Sequence, residues 1–260
     1  MMGSLLYCYK SGCGHDECRR HWNAYEMNRK RQIAYGRWEP YVDAAPAREH
    51  VLWLIAEGVP IKNLVPIYPT VHVLVYGRPA EGQSPTKRMR RESADALLAV
   101  RPTLDMLGER ARIDGAGARR RVWAMCALGY SLAEQARRMG STVFRFRQLL
   151  ADDTVTVGFY RRVVALYDDV SMVRPEGWVA DKTRRWAAAQ GHLPPLAWDD
   201  DLIDLPEADL QVELSRRVAA MDDDELRRCA SAYKAEGDRT PLISAAARVW
   251  RRRLESDRAA

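Results

Sequence analysis

The stretch from Ser131 to Leu150 reads SLAEQARRMGSTVFRFRQLL and has the spacing of two short helices joined by a tight turn. Ala136 is small at the point where the helices would cross. Gly140 follows four residues later, where a tight turn needs the positive φ that glycine adopts at little cost. Phe146 would fill the core from the second helix. The pattern predicts a helix-turn-helix, whose second helix lies in the major groove of DNA. An ordinary helical hairpin in an all-α core is the alternative.

The second helix of this stretch carries polar side chains at positions that would face outward. Arginine and glutamine pair bidentately with guanine and adenine, and serine or threonine bonds either a phosphate or a base. The stretch therefore nominates as DNA-contacting residues Ser141, Thr142, Phe144, Arg145, Arg147 and Gln148.

Charge is divided unevenly along the 260 residues. Residues 1–150 carry 24 Lys and Arg against 14 Asp and Glu, a net charge of +10, whereas residues 151–260 carry 17 against 21, a net charge of −4. A basic front part favours a polyanionic partner such as nucleic acid, although solvated charged faces would give the same balance. Arg119 and Arg120, at the start of the helical segment GARRRVWAMCALGY, are nominated as phosphate contacts.

Three of the five cysteines fall close together, in CYKSGCGHDECRRHW. Thiolate and imidazole ligands at this spacing can enclose one tetrahedral Zn²⁺, and such an ion folds a segment too small to have its own core. The predicted ligands of this structural zinc are Cys8, Cys13, His15 and Cys18, with His21 as a spare. Three free thiols near the chain start are the alternative.

A second, weaker helix-turn-helix pattern lies upstream of the first. Its opening helix starts near Ala45, accepts Pro46 in the first turn and ends at Gly58. A short apolar segment, residues 61–67, then precedes a further helix that ends at Gly77. The residues of this unit nominated to face the groove are Thr70, His72, Val73 and Arg78.

Several segments of the chain resemble one group of known proteins. AYGRWEPYVDA, YGRP, ADALLAVRP and PPLAWDDDLID are similar to segments of actinobacterial and actinobacteriophage DNA-binding proteins of the mycobacteriophage immunity-repressor type. The resemblance covers most of residues 8–205 and implies sequence-specific binding of duplex DNA through two helix-turn-helix units in one chain. This chain departs from the group in the short segment LVPIYPT, where Pro66 removes a helix hydrogen bond, and at His15, where the group's knuckle has a cysteine.

Residues 79–91 are predicted to be a basic linker between the two units. Gly, Gln, Ser, Pro and Thr favour a flexible chain, and the basic residues that follow are Lys87, Arg88, Arg90 and Arg91. A basic segment between two DNA-bound units would follow the minor groove where it is narrow. A solvated linker without DNA contact is the alternative.

The expected fold class is all-α, with two helix-turn-helix domains in tandem. A Cys/His-rich knuckle and basic helix occupy residues 1–37, and the first helix-turn-helix domain occupies 38–100. The second domain, with an arm rich in Trp and Asp, occupies 101–205. A C-terminal helical module occupies 206–260 and lacks a charge signature for DNA, which leaves a protein partner or self-association open.

The leading hypothesis is a sequence-specific regulator of transcription, of phage or prophage repressor type, that reads an asymmetric site on double-stranded DNA. A non-specific architectural DNA-binding protein and an interaction adaptor are the alternatives. No nucleophile elbow, P-loop, dinucleotide-binding motif or HExxH occurs, so we expect no enzyme activity. No stretch approaches ~20 consecutive apolar residues and the start MMGSLLYCYK has no leader-type cleavage region, so we expect a cytoplasmic, nucleoid-associated protein without membrane contact.

Overall fold

The computed structural model describes residues 8–9 and 12–259, with side chains as far as residue 256. The first seven residues, on which the expectation of no secretory leader rests, lie outside this described part. The chain divides between Thr103 and Leu104 into two compact units. Within the described residues, no helix is both long enough and apolar enough to cross a bilayer.

The first unit is mostly helical and contains one small pair of strands. Its elements in chain order are α1 (Asp16–Ala34), β1 (Tyr41–Asp43), α2 (Ala45–Ala56), a 3-10 turn (Ile61–Leu64), α3 (Val71–Tyr76), a second 3-10 turn (Pro79–Glu81), β2 (Arg88–Arg90) and α4 (Arg91–Leu98). The two strands are antiparallel, and Val42 lies opposite Met89. Helix α2 packs on α4, and the fully buried side chains between these elements include Val51, Leu54, Leu64, Leu74 and Leu97.

The second unit begins with the same succession of elements. After a 3-10 turn (Leu104–Met106) it has β3 (Arg112–Asp114), α5 (Ala116–Leu128), α6 (Leu132–Arg138), α7 (Val143–Ala151), β4 (Thr154–Thr156) and α8 (Val157–Val170). Strands β3 and β4 are antiparallel, and α5 packs on α8. The Thr156 hydroxyl accepts a hydrogen bond from the Phe159 amide and thereby caps α8.

The two units share one arrangement, in which a short strand, a series of helical segments, a returning strand and a closing helix follow one another; the first unit has four such segments and the second has three. Asp43 and Asp114 end the first strand of each unit, and each carboxylate accepts a hydrogen bond from the backbone N–H two residues later, at 3.0 and 2.7 Å. The middle residue of each returning strand is buried, Met89 in one unit and Val155 in the other. These shared positions indicate an internal repeat, of which the first copy has only a 3-10 turn where the second has α6.

The remaining chain is helical and belongs to the second compact unit. It forms α9 (Trp178–Ala189), a 3-10 turn (Pro195–Ala197), α10 (Glu207–Ala219), α11 (Asp223–Ser231), a π-helical turn (Ala232–Glu236) and α12 (Pro241–Ala259). Asp222 and Glu225 form a capping box that starts α11. The C-terminal segment is therefore helical, as expected from the sequence, and its three helices pack around small cores that include Leu210, Leu214, Val218 and Leu226.

The mostly helical fold expected from the sequence is confirmed, with one small strand pair in each unit. One expectation about architecture needs correction. Residues 79–91 are not a flexible linker, since they form a 3-10 turn, strand β2 and the first residue of α4. The physical reason is the alternation within β2, where Met89 is buried against the core of the first unit while Arg88 and Arg90 face outward.

Candidate nucleic-acid interface and metal centre

Helices α6 and α7 are joined by a turn in which every junction has a side-chain or backbone cap. The Ser131 hydroxyl accepts a hydrogen bond from the Glu134 amide at 3.2 Å and starts α6. Gly140 has a φ of 63°, and its N–H and that of Ser141 donate to carbonyls of the last turn of α6 at 3.1 and 2.8 Å. The Thr142 hydroxyl then accepts from the Arg145 amide at 3.3 Å and starts α7. Gly140 therefore has the role that its spacing predicted.

One side of α7 is held by the core of the second unit. Phe146 is fully buried and packs edge-to-face on Phe159 of α8, with ring centroids 5.7 Å apart. Ala136, on α6, is also fully buried where the two helices meet. Because Leu150 is buried one turn further along, α7 cannot rotate without losing apolar contacts. The opposite side of α7 is thereby fixed toward solvent.

The outward side of α7 combines one aromatic ring with three polar side chains. The Phe144 side chain is 73% exposed. Arg145, Arg147 and Gln148 are exposed as well, and within the described part of the chain none of these three side chains has a hydrogen bond or ion pair. Their donors and acceptors are free to meet a ligand.

The other two nominated residues of the α6–α7 hairpin, Thr142 and Ser141, have local roles. The Thr142 hydroxyl is engaged as the cap of α7. The Ser141 hydroxyl lies 3.4 Å from the carbonyl of Thr142, a long hydrogen bond that an incoming phosphate would replace at little cost.

Two arginines that were not nominated stand on α6, beside the turn. The Glu134 carboxylate lies 2.8 Å from the Arg137 guanidinium and 2.7 Å from that of Arg138. Hydrogen bonds from these two arginines lower the pKa of Glu134 to about 2. The acidic residue offsets part of their positive charge, so the free basic groups of the hairpin are those on α7.

The structure contradicts the nomination of Arg120. Its guanidinium is buried and donates to the backbone carbonyls of Ile203, at 3.1 Å, and Leu205, and to the Glu207 carboxylate at 2.8 Å. An arginine enclosed by these acceptors cannot reach a phosphate. Arg120 instead attaches the arm that precedes α10 to helix α5.

Arg119 is half-buried, and its Nη1 donates to the carbonyl of Asp152 at 2.6 Å, just beyond the end of α7. This contact corrects the expectation of a free phosphate-binding group, because the guanidinium already holds the C-terminal end of α7.

A partly buried ion pair, which the sequence did not reveal, lies next to these residues. Arg121 forms a bidentate pair with Asp204, with Nη2 to Oδ2 at 2.9 Å, and the Tyr160 hydroxyl donates to Asp204 at 2.6 Å. Partial burial of Asp204 opposes ionisation, but the hydrogen bonds from Arg121 and Tyr160 outweigh it and lower the pKa of this carboxyl. Gly117 leaves room for Asp204, because an added Cβ would meet the Asp204 side chain and, at 3.1 Å, its Cα.

The nominated residues of the first unit form a less open surface. Helix α3 has only six residues, from Val71 to Tyr76. His72 is exposed but its ring contacts that of Tyr76 at a tilt, with centroids 5.0 Å apart, and Arg78 pairs with Glu81 at 3.2 Å. Val73 is half-buried and Thr70 is exposed, and the groove-facing roles nominated for both stay predictions.

The four basic residues of the segment 79–91, which was predicted to be a linker, all lie on the surface around β2. Arg88 donates to the Tyr41 carbonyl at 2.9 Å, and Arg91 pairs with Glu39 at 3.1 Å. Lys87 and Arg90 are exposed, and in the described residues their side chains have no hydrogen bond or ion pair. The expectation of a flexible linker is wrong for this segment, because strand β2 folds it into the first unit, whereas its contact with a minor groove stays a prediction.

The four predicted metal ligands lie together at the start of the described chain. The ligand atoms of Cys8, Cys13, His15 and Cys18 all lie within 4.8 Å of one another, and none of these cysteines is in a disulfide. The hydrogen bond with Cys8 lowers the pKa of the Cys13 thiol to about 7, whereas burial raises that of Cys18 to about 12. Sulfur ligands of a tetrahedral zinc ion stand about 3.8 Å apart, so only a small closure is needed. The cluster therefore fits a metal ion.

The outward side of α7 offers the guanidinium groups of Arg145 and Arg147, the amide of Gln148 and the apolar ring of Phe144. An open cleft of about 400 Å³ in the second unit lies elsewhere, between α6 and the segment from Pro175 to Ala180. Comparisons of the chain with protein-family models, with curated proteins and with solved structures find no match.

Proposed function

We propose that the protein is a sequence-specific regulator that binds double-stranded DNA, with α6 and α7 as its helix-turn-helix and α7 in the major groove. The observation that carries this proposal is the outward side of α7, where Arg145, Arg147 and Gln148 have no partner in the described chain although the opposite side of the helix is locked. Arginine and glutamine on the second helix of such a hairpin are the residues that read guanine and adenine edges.

The first unit is proposed to contribute contacts to the DNA backbone more than to the bases. Its helix α3 is short, and the outward side chains of His72 and Arg78 are engaged with neighbours. Lys87 and Arg90 are the free cations of this unit's β2 region and suit phosphate oxygens. Two unequal units in one chain favour an asymmetric DNA site.

Repression is the proposed outcome of binding, as the resemblance to immunity repressors implies. A protein that occupies a promoter tightly excludes the polymerase without a further activity. A reporter gene placed behind the selected site would show lower expression when the protein is present. Such a protein would act at the nucleoid, in the cytoplasm.

The test of DNA recognition is a selection of bound duplexes from a random pool at physiological salt, followed by affinity measurements. We expect an asymmetric motif of one to two helical turns. Arg145→Ala should weaken binding by ~1–3 kcal/mol, and the loss should concern particular bases. Arg185→Ala is the matched control, since Arg185 is an exposed arginine on helix α9 of the same unit.

Other outcomes would redirect the proposal. No enrichment, with a steep dependence on salt, would indicate a non-specific architectural protein. A palindromic motif would indicate dimers, formed for example through α10 to α12. If Arg145→Ala lost the same amount of affinity on all DNA sequences, Arg145 would be a phosphate contact. If the protein binds a protein partner in the absence of DNA, the interaction-adaptor alternative is favoured.

The metal of the Cys8, Cys13, His15 and Cys18 cluster is proposed to be zinc, in a structural role. Three thiolates and one imidazole in a closed tetrahedral set are typical of structural zinc, and leave no position for a reacting water. The ion would tie the start of the chain to α1.

A further inference from the structure

We propose that Phe144 reads the C5-methyl group of a thymine in the major groove. This inference rests on the proposed function, because it assigns a base feature to one residue of the DNA-binding surface. It goes beyond that function by naming the chemical group that the residue recognises.

The first argument is the unusual placement of the ring. Helix α7 has five large apolar side chains, and the other four, Val143, Phe146, Leu149 and Leu150, all contact the core of the second unit. Phe144 is the exception, with 73% of its side chain in solvent. A phenyl ring in this position contributes nothing to the core, so its removal would not be expected to unfold the unit.

The second argument is the position of Phe144 within the hairpin. It is the second residue of α7, directly after the turn that Gly140 and Thr142 define. In helix-turn-helix complexes the first residues of the second helix are the ones that contact base edges. The ring is therefore at the end of α7 that penetrates deepest into the groove.

The third argument is the chemistry of its neighbours. Arg147 and Gln148 follow Phe144 by three and four residues and so share its side of the helix. Both carry free hydrogen-bonding groups. Glutamine pairs with the N6 and N7 atoms of adenine, and thymine is the base whose major-groove edge carries an apolar methyl group. Phe144 and Gln148 together would recognise adenine–thymine pairs, one through the methyl group and the other through the adenine edge.

The experiment replaces each thymine of the selected site, one at a time, by deoxyuridine. Deoxyuridine keeps the base pair and lacks only the methyl group. The affinity of the full-length protein for each duplex is measured for the wild type, for Phe144→Ala and for Phe144→Leu, which keeps an apolar side chain. Leu196→Ala serves as a control, since Leu196 is another strongly exposed apolar residue, 82% exposed, outside the hairpin.

We expect one thymine at which deoxyuridine weakens wild-type binding about fourfold, the loss that corresponds to one buried methyl group. At that position Phe144→Ala should bind thymine and deoxyuridine DNA equally, Phe144→Leu should retain part of the preference, and Leu196→Ala should behave as the wild type. Thermal melting of Phe144→Ala checks that the unit is still folded.

Two results would overturn the inference while the proposed function stands. One is wild-type binding that no deoxyuridine substitution weakens. The other is a Phe144→Ala variant that binds both DNAs more weakly by the same factor and so keeps the wild-type preference for thymine. The ring would then act as a wedge between base pairs and would not read the methyl group. Failure of the wild type to bind any selected duplex is a different result, since it would remove the proposed function itself.

Discussion

Three adjacent arginines, Arg119, Arg120 and Arg121, show how differently one residue type is used in this protein. Arg119 holds the end of α7, Arg120 attaches the arm before α10, and Arg121 pairs with Asp204. In the sequence all three are equivalent basic residues at a helix start. A buried guanidinium is costly unless it is paired, and Arg120 and Arg121 are each buried and paired with a carboxylate, so both are structural groups.

At this scale we predict that Asp204→Asn destabilises the second unit. The change removes the charge that compensates Arg121, while 44% of the Asp204 side chain is exposed and water partly screens the pair. We therefore expect a loss of about 2 kcal/mol in the free energy of unfolding, measured by urea denaturation. Asp200→Asn, at an exposed position of the same arm, should change it little.

The pair of Arg121 and Asp204 should also make the free energy of unfolding depend on pH. The pKa of Asp204 is lowered in the folded protein, so its contribution is present above the unfolded pKa of about 3.9 and is lost as the pH falls toward the folded value. The stability difference between wild type and Asp204→Asn should be constant at neutral pH and shrink in acid. A difference that grew in acid would contradict the assignment of Asp204 as the ionised partner.

At the scale of elements, α1 differs from the other helices because it has almost no core of its own. Cys18 is its one buried residue. Its remaining packing is a row of aromatic rings, in which Tyr9 stacks on Trp22 at 5.5 Å, Trp22 meets Tyr25 at 5.8 Å and Tyr25 meets Trp38 at 6.2 Å. A metal ion at the cluster of Cys8, Cys13, His15 and Cys18 would hold the preceding segment against such a helix.

We predict that the purified protein contains one zinc ion per chain and that a chelator loosens this segment. Removal of the metal should change the fluorescence of Trp22, because the stacked Tyr9 lies in the segment that the ion holds. Cys13→Ser should abolish tight binding of zinc, measured by elemental analysis after gel filtration. Cys229→Ser, which alters a free cysteine of α11, should keep the metal. A metal-free wild type, or full occupancy in Cys13→Ser, would argue against zinc at this cluster.

At the scale of the whole molecule, the chain carries a net charge of +6 that is concentrated before residue 150. Binding to DNA through such a charge releases counterions, so the affinity should fall linearly on a plot of log affinity against log salt. The number of phosphates contacted sets the slope. Counting those contacts is a direct test of the role proposed for the first unit.

We predict that the double variant Lys87→Ala, Arg90→Ala reduces this slope by about 2, since each phosphate contact contributes roughly 0.9. The matched control is Arg251→Ala, Arg252→Ala, which removes the same charge from exposed positions on α12. The control should leave the slope as it is. Equal slopes for the wild type and both variants would mean that Lys87 and Arg90 do not touch phosphates.

The internal repeat involves both units of the molecule, and the structure shows which positions of its two copies are equivalent. With Asp43 aligned on Asp114, the helical stretches that follow share Ala47 with Ala118, Arg48 with Arg119 and Val51 with Val122. Met89 and Val155 are equivalent only by their places in the returning strands. Residues 88–90 had the composition of a linker, and their pairing with residues 41–43 decides that they are a strand. A partner more than forty residues away cannot be inferred from composition or local periodicity.

The sequence by itself determined the features that depend on neighbouring residues. The spacing of Ala136, Gly140 and Phe146 predicted the turn and the buried side of α7, and the cysteine spacing predicted four ligands close together, because caps, turns and helix faces are local. The tertiary structure alone decided which basic groups are free. Arg120 finds its acceptors 83 to 87 residues along the chain, and Arg145 finds none among the described residues, because burial depends on contacts between distant segments.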